Sequence, residues 1–246
     1  MPVFFVPPQC IAPPTITVTD DLLTHLRDSL RVSIGETLWF GNGLGTRYRA
    51  EITDVSKGTL TGRILDSIQE PPRHVPRLFL GQSLLKGEKM DWVIQKATEL
   101  GVDKVAPIES RHSVVQLKAD RVDHQLARWQ RIALEAAQQS EQWRVPTITP
   151  PHSLTSLLRS HVTGTMTLML TERRDGNNLQ TVELPHDATG SVLVLIGPEG
   201  GWSKEERLAA EQAEIQPISL GQHVLRAETA AIAAISILQS RFGKLG

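Results

Sequence analysis

The chain reads as an α/β protein preceded by a small β-rich module. Three observations carry this: closely spaced short strands over the first seventy or so residues, a proline-rich break, and apolar strands alternating with amphipathic helices beyond it. In the first part, residues 36–40 form a strand candidate that ends at the turn signal Gly41-Asn42-Gly43. Tyr48, Ala50 and Ile52 alternate with Arg49 and Glu51, the pattern of a half-buried strand. Ser56-Lys57-Gly58 then turns the chain into a third strand over 59–65. His25-Leu26-Arg27 lies in a short helical stretch before them. Such spacing predicts a small barrel.

Glu70 to Pro76 holds three prolines in seven positions, which suits neither a helix nor a central strand. The boundary is placed there, giving domains over residues 1–72 and 73–246. Strands are expected at 78–80, 105–108, 147–149, 165–170, 192–196 and 217–220. Met90, Val93, Ile94, Ala97 and Leu100 share one helical face, with Gly101 as the stop. Val122, Leu126, Trp129, Ala133 and Ala136 mark a longer helix, and a short one follows at 154–158. Ser203 and Glu206 have capping-box spacing, and 226–242 closes the chain as a helix. This alternation predicts a mostly parallel sheet covered by helices.

The 246 residues suffice for one large domain or for a small module and a medium one. The net charge is −1, so no global pull toward nucleic acid is visible; any basic patch must come from folding. No apolar run is long enough to cross a bilayer. The apolar start, Val3 to Val6, lacks a leading basic residue and is cut by Pro7 and Pro8, so we expect no signal peptide, a cytoplasmic protein and no membrane partner. The lone Cys10 excludes an internal disulfide and a cysteine-based zinc site, and we expect no metal.

Two segments have the composition of a ligand site. Leu195 to Trp202 runs an apolar strand into the turn Gly197-Pro198-Glu199-Gly200-Gly201. Ligands in open α/β sheets bind beyond the carboxyl ends of strands, and glycine there lets them approach the backbone. The turn is neither G-x-G-x-x-G nor a P-loop, and an ordinary strand-to-helix turn remains open. Leu220 to Ala230 repeats the arrangement, with Arg226 and Glu228 at the mouth of a very apolar, small-residue helix. Singly, Glu228 fits as a charge at a helix N-terminus and Arg226 as a solvated one.

Together these strings resemble the RsmE family, small-subunit ribosomal RNA uracil-N3 methyltransferases of the SPOUT superfamily. Lys86, Met90-Asp91-Trp92, residues 95–102 and Glu135-Ala136-Ala137 match its middle region, and Phe4-Phe5-Val6 with His25-Leu26-Arg27 its N-terminal module. The resemblance implies a SPOUT-type trefoil-knotted sheet with helices, a PUA-like β-barrel for RNA, a homodimer, and S-adenosylmethionine as cofactor. It places the cofactor on Gly197, Pro198, Glu199, Gly200 and Gly201, on Leu220 and Gly221, and on Arg226, Thr229 and Ala230. Leu170, Thr171, Ile196, Val224 and Leu225 would complete the walls. Arg226, Glu172 and Glu228 are the catalytic candidates. The expected partner is small-subunit ribosomal RNA, or the assembled small subunit. Arg27, Arg31, Arg47, Arg49 and Arg63 are candidate phosphate contacts of the barrel, with Lys86, Arg111 and Arg144 beyond it. The chain departs from the family pattern at Arg111-His112, Glu141-Gln142 and His223. Two other readings remain open at this point: a non-catalytic RNA-binding or ribosome-assembly protein, and an enzyme of nucleotide phosphates using the glycine turn as an anion cradle.

Overall fold

The computed structural model describes residues 3–159, 164–171 and 177–245. The chain divides into two compact units: Met1–Pro72 with Ala137–Val145, and Arg73–Ala136 with Pro146–Gly246.

The first unit begins with β1 (Val3–Phe5), β2 (Ile11–Ala12) and β3 (Thr15–Val18). The short helix α1 (Asp20–Thr24) continues into a wider turn over His25–Ser29. Then come β4 (Thr37–Gly41), β5 (Thr46–Val55) and β6 (Leu60–Gln69). They form one curled six-stranded sheet in the order β1-β4-β5-β6-β3-β2. All pairings are antiparallel except β1 with β4. Phe4, Ile16, Leu26, Phe40, Ile52 and Leu60 fill its core. The alternation of β5 has the expected sense, with Ala50 and Ile52 buried and Arg49 exposed. A bulge between Arg49 and Ala50 then shifts the pairing with β6.

Segment 137–145, assigned by the sequence to the second domain, belongs to this unit. Its anchors are specific. The Phe5 N–H donates to Gln138 Oε1 at 3.1 Å, the Gly45 N–H to the Trp143 carbonyl at 3.2 Å, and the Val145 N–H to the Gly43 carbonyl at 3.1 Å. Neither hydrophobic period nor proline punctuation reports such partners, which come from residues nearly a hundred positions away or more.

The second unit contains β7 (Arg77–Ser83), α2 (Lys89–Glu99), β8 (Lys104–Glu109) and most of α3 (Val122–Gln139). It continues with β9 (Thr147–Ile148), β10 (His152–Ser153), α4 (Leu154–Arg159), β11 (Thr165–Leu170) and β12 (Asn177–Asn178). The last elements are β13 (Ser191–Ile196), α5 (Lys204–Gln212), β14 (Gln216–Ser219) and α6 (Ala227–Arg241). The sheet runs β10-β8-β7-β13-β11-β14-β12, with β9 also on β8, and its pairs are parallel. Val192 to Ile196 are all buried, as a strand covered on both faces requires. Ala231, Ala234, Ile235 and Leu238 bury one side of α6, which packs on α2. Gln239 of α6 caps the end of α2, donating to the Leu100 and Gly101 carbonyls at 2.6 and 2.9 Å. The sheet therefore brings the carboxyl ends of β11, β13 and β14 together.

Candidate active site

The turn after β13 is held from several sides. The Gly201 N–H closes it on the Pro198 carbonyl at 2.9 Å, with Gly201 at φ +69°. Ser203 and Glu206 form a reciprocal capping box at the start of α5. Glu206 also accepts from the Ser110 hydroxyl at 2.8 Å and the Arg111 N–H at 3.0 Å. His112 Nδ1 lies 3.1 Å from the Gly201 carbonyl. Beneath the turn, Trp202 is buried and its indole N–H donates to the Leu170 carbonyl at 2.9 Å. Gly197 packs closely there: a β-carbon would stand 3.1 Å from the indole nitrogen, so a larger residue would press on the ring.

The loop after β14 forms the opposite wall. Gly221, at φ +123°, donates its N–H to the Ser219 hydroxyl at 3.1 Å. Arg226 is the N-cap of α6; it is exposed and its side chain meets no hydrogen-bond or ionic partner among the described residues. At the end of β11, the Thr171 N–H reaches the Ile218 carbonyl at 2.9 Å, while the Thr171 hydroxyl is buried and meets no partner among the described residues.

These segments enclose a cavity of about 1030 Å³. Leu170, Thr171 and Ile196 line it, with Gly197, Pro198, Glu199, Gly200 and Gly201 along one side. Leu220, Gly221, Val224, Leu225, Arg226 and Ala230 line the other. Of the expected cofactor residues only Thr229 is not in the lining. Successive helical residues turn through about 100°, so Ala227 and Ala230 face inward while Thr229 is exposed. Glu172 lies outside the described residues. Glu228 is not in the lining either; its Oε1 stands 3.3 Å from the Lys89 ammonium, which also meets Glu199 at 3.1 Å. The two carboxylates raise the Lys89 pKa, Glu199 contributing most.

The sequence did not single out Lys89, Arg207, Glu211 or Glu214, the last three of which line the cavity, and it named Trp202 only as the end of the glycine-turn segment. Trp202, directly after the glycine turn, carried the one usable signal. Lys89 had none, because its partners lie more than a hundred residues away.

The candidate RNA contacts divide into two groups. Arg47 stacks over Trp143 at 3.9 Å from the ring centre and donates to the Glu141 carbonyl at 2.6 Å; burial lowers its pKa. Arg27 meets Asp28 at 2.6 Å and Arg63 meets Glu51 at 2.5 Å, while Arg144 pairs with Glu70. Their guanidinium groups are engaged within the first unit. Arg31, Arg49 and Lys86 are exposed, and no side-chain partner meets them among the described residues; Arg111 is exposed too, its backbone N–H held by Glu206 and its charge close to Glu205. No helix among the described residues is long and apolar enough to cross a membrane.

The RNA methyltransferase domain model matches residues 72–239, and the RNA methyltransferase PUA domain model matches 18–65. Ribosomal RNA small subunit methyltransferase E of Bacillus subtilis is 27% identical, over 92% of this chain and 90% of its own. The protein of that name from Mycobacterium bovis is 30% identical, over 89% of this chain and 84% of its own. The crystal structure of ribosomal RNA small subunit methyltransferase E from Neisseria gonorrhoeae bound to S-adenosyl methionine superposes with a TM-score of 0.86 at 30% identity, covering 98% of both chains. With the methyltransferase model spanning most of its length and relatives aligned nearly end to end, the chain belongs to the ribosomal RNA small subunit methyltransferase E family.

Proposed function

We propose that this protein methylates N3 of a uridine in small-subunit ribosomal RNA, with S-adenosylmethionine as the methyl donor. Family membership makes it an RNA methyltransferase. The observation that carries the reading is the cavity at the ends of β11, β13 and β14. Its residues fit the cofactor: Leu170, Ile196, Val224 and Leu225 supply apolar wall, and the turns at Gly197 and Gly221 supply close backbone. The Thr171 hydroxyl, buried and without a partner among the described residues, is a polar group that fits a ligand's hydrogen bond. When bound, S-adenosylmethionine supplies an electrophilic methyl on a sulfonium sulfur.

The protein's own part is to hold, orient and exclude water. Arg226, exposed at the cavity wall, is positioned to bind an RNA phosphate or to stabilise negative charge on the uracil ring. N3 lies on the Watson–Crick edge, so the target base must be unpaired or extruded when it enters. Its proton must also leave; Glu172 is the candidate acceptor, and Glu228 the candidate for orienting Arg226. The pairing of Glu228 with Lys89 argues against its orienting Arg226.

In this reading residues 1–72 form the PUA-like RNA module and 73–246 the catalytic domain, with 137–145 serving the former. The trefoil knot implied by the family resemblance belongs to this reading. Exposed Trp92 on α2 and exposed Val224 offer apolar surface for the expected homodimer. The protein acts in the cytoplasm, where ribosomal RNA is processed. Mass mapping of small-subunit ribosomal RNA tests the reading: cells lacking the protein should lose one N3-methyluridine, and the wild-type chain should restore it. An unchanged methylation map refutes the proposal.

A further inference from the structure

Lys89 is the first residue of α2, the end of a helix where the backbone's partial positive charge disfavours a cation. Helix stability therefore does not account for it. Its ammonium stands 3.1 Å from Glu199 Oε1 and 3.3 Å from Glu228 Oε1. Glu199 belongs to the cavity turn after β13, and Glu228 to the first turn of α6. Three elements far apart in sequence thus meet at one cation.

The three side chains are 36%, 31% and 16% exposed, so both contacts are partly withdrawn from water. An isolated surface pair would hold little, but one cation shared by two carboxylates is a network. Glu228 Oε2 is buried without a partner, and Lys89 is the one cation that meets this carboxylate among the described residues. Without the ammonium, Glu199 and Glu228 would repel across the gap that Lys89 now fills.

We propose that Lys89 is a positioning residue, a strap that ties the Gly197–Gly201 turn to the start of α6 and so holds the two walls of the cavity in register. Arg226, two residues before Glu228, keeps its place at the cavity wall through the same tie. The effect on ligand affinity rests on the cofactor reading given above; the strap itself does not.

The test uses the full chain with Lys89→Met, Lys89→Arg and Glu199→Gln. Arg131→Met, which breaks the exposed Arg131–Glu135 pair of α3, is the control. Hydrogen exchange without ligand should quicken at amides 199–202 and 227–230 in Lys89→Met, recover in Lys89→Arg, and stay unchanged in Arg131→Met. Glu199→Gln, which cuts one arm, should loosen 199–202 alone and keeps the test alive if Lys89→Met fails to fold. Calorimetry should show S-adenosylmethionine bound about tenfold more weakly by Lys89→Met and near normally by Lys89→Arg. Unchanged exchange in both Lys89→Met and Glu199→Gln overturns the strap, and loosening without loss of affinity overturns its part in holding the cavity walls for the cofactor. Loosened exchange in a chain whose wild type binds no S-adenosylmethionine would support the strap and overturn the cofactor reading instead.

Discussion

The indole N–H of Trp202 donates to the carbonyl of Leu170 at 2.9 Å, joining the chain just past β13 to the last residue of β11 beneath the cavity. Trp202→Phe keeps most of the packing but leaves that carbonyl unpaired, at a cost of about 1 kcal/mol. Trp202→Ala also opens a void and should cost about 3–5 kcal/mol. Urea unfolding measures both. Equal losses would mean that the hydrogen bond and the ring act as one unit.

Gly200→Val acts differently from what the sequence suggests. Seen as a sequence, an added side chain there would intrude on the ligand. In the structure a β-carbon at Gly200 would stand 3.0 Å from His112 Cβ, so the substitution presses on the His112 segment first. S-adenosylmethionine affinity should fall because the turn shifts. Gly200→Val with His112→Gly, which removes the clashing β-carbon, should recover part of the loss, since residues in contact do not add. Calorimetric affinities of the two single variants and the double variant decide this; full additivity would rule out the steric route.

Arg226 lines the cavity, yet its guanidinium has no protein partner among the described residues. Arg226→Ala should therefore lower methyl transfer by about 10²-fold or more, the scale of removing one stabilising donor. Cofactor affinity should change little. Single-turnover assays beside calorimetry separate the two effects, and normal turnover would exclude the role.

The arginines of the first unit should separate in a salt titration. Arg49→Ala and Arg31→Ala should each flatten the salt dependence of RNA binding by up to about one unit if they touch phosphate. Arg47→Ala should instead lower stability by about 1–2 kcal/mol, through the lost stacking on Trp143 and the lost carbonyl contacts. Its salt slope should match that of the wild type. Filter binding at several salt concentrations, beside thermal unfolding, checks each variant. A fragment beginning near Arg77 would keep 137–145 but lose its anchors, so exposure of Trp143 must be controlled for before lost RNA binding is assigned to the barrel.

What the sequence determined by itself is whatever short-range chemistry encodes. The apolar runs at 165–170 and 192–196 predicted buried strands, and Ser203 with Glu206 predicted a helix start; β11, β13 and α5 follow them closely. The glycine turns at 197–201 and around 221 announced the cavity's walls, because glycine spacing is local and visible in a string. Family resemblance added the cofactor and the RNA. Only the tertiary structure decided which charges are engaged. Arg47 and Arg49 are indistinguishable as letters on one strand, yet one stacks under Trp143 and the other is exposed. Lys89 looked like any helix lysine until folding brought Glu199 and Glu228 to it. Segment 137–145 likewise left its own domain to complete the other. Periodicity reports what a residue's neighbours in the chain require. Ion pairs and stacking depend on partners a hundred residues away, and only the packed sheet brings those within reach.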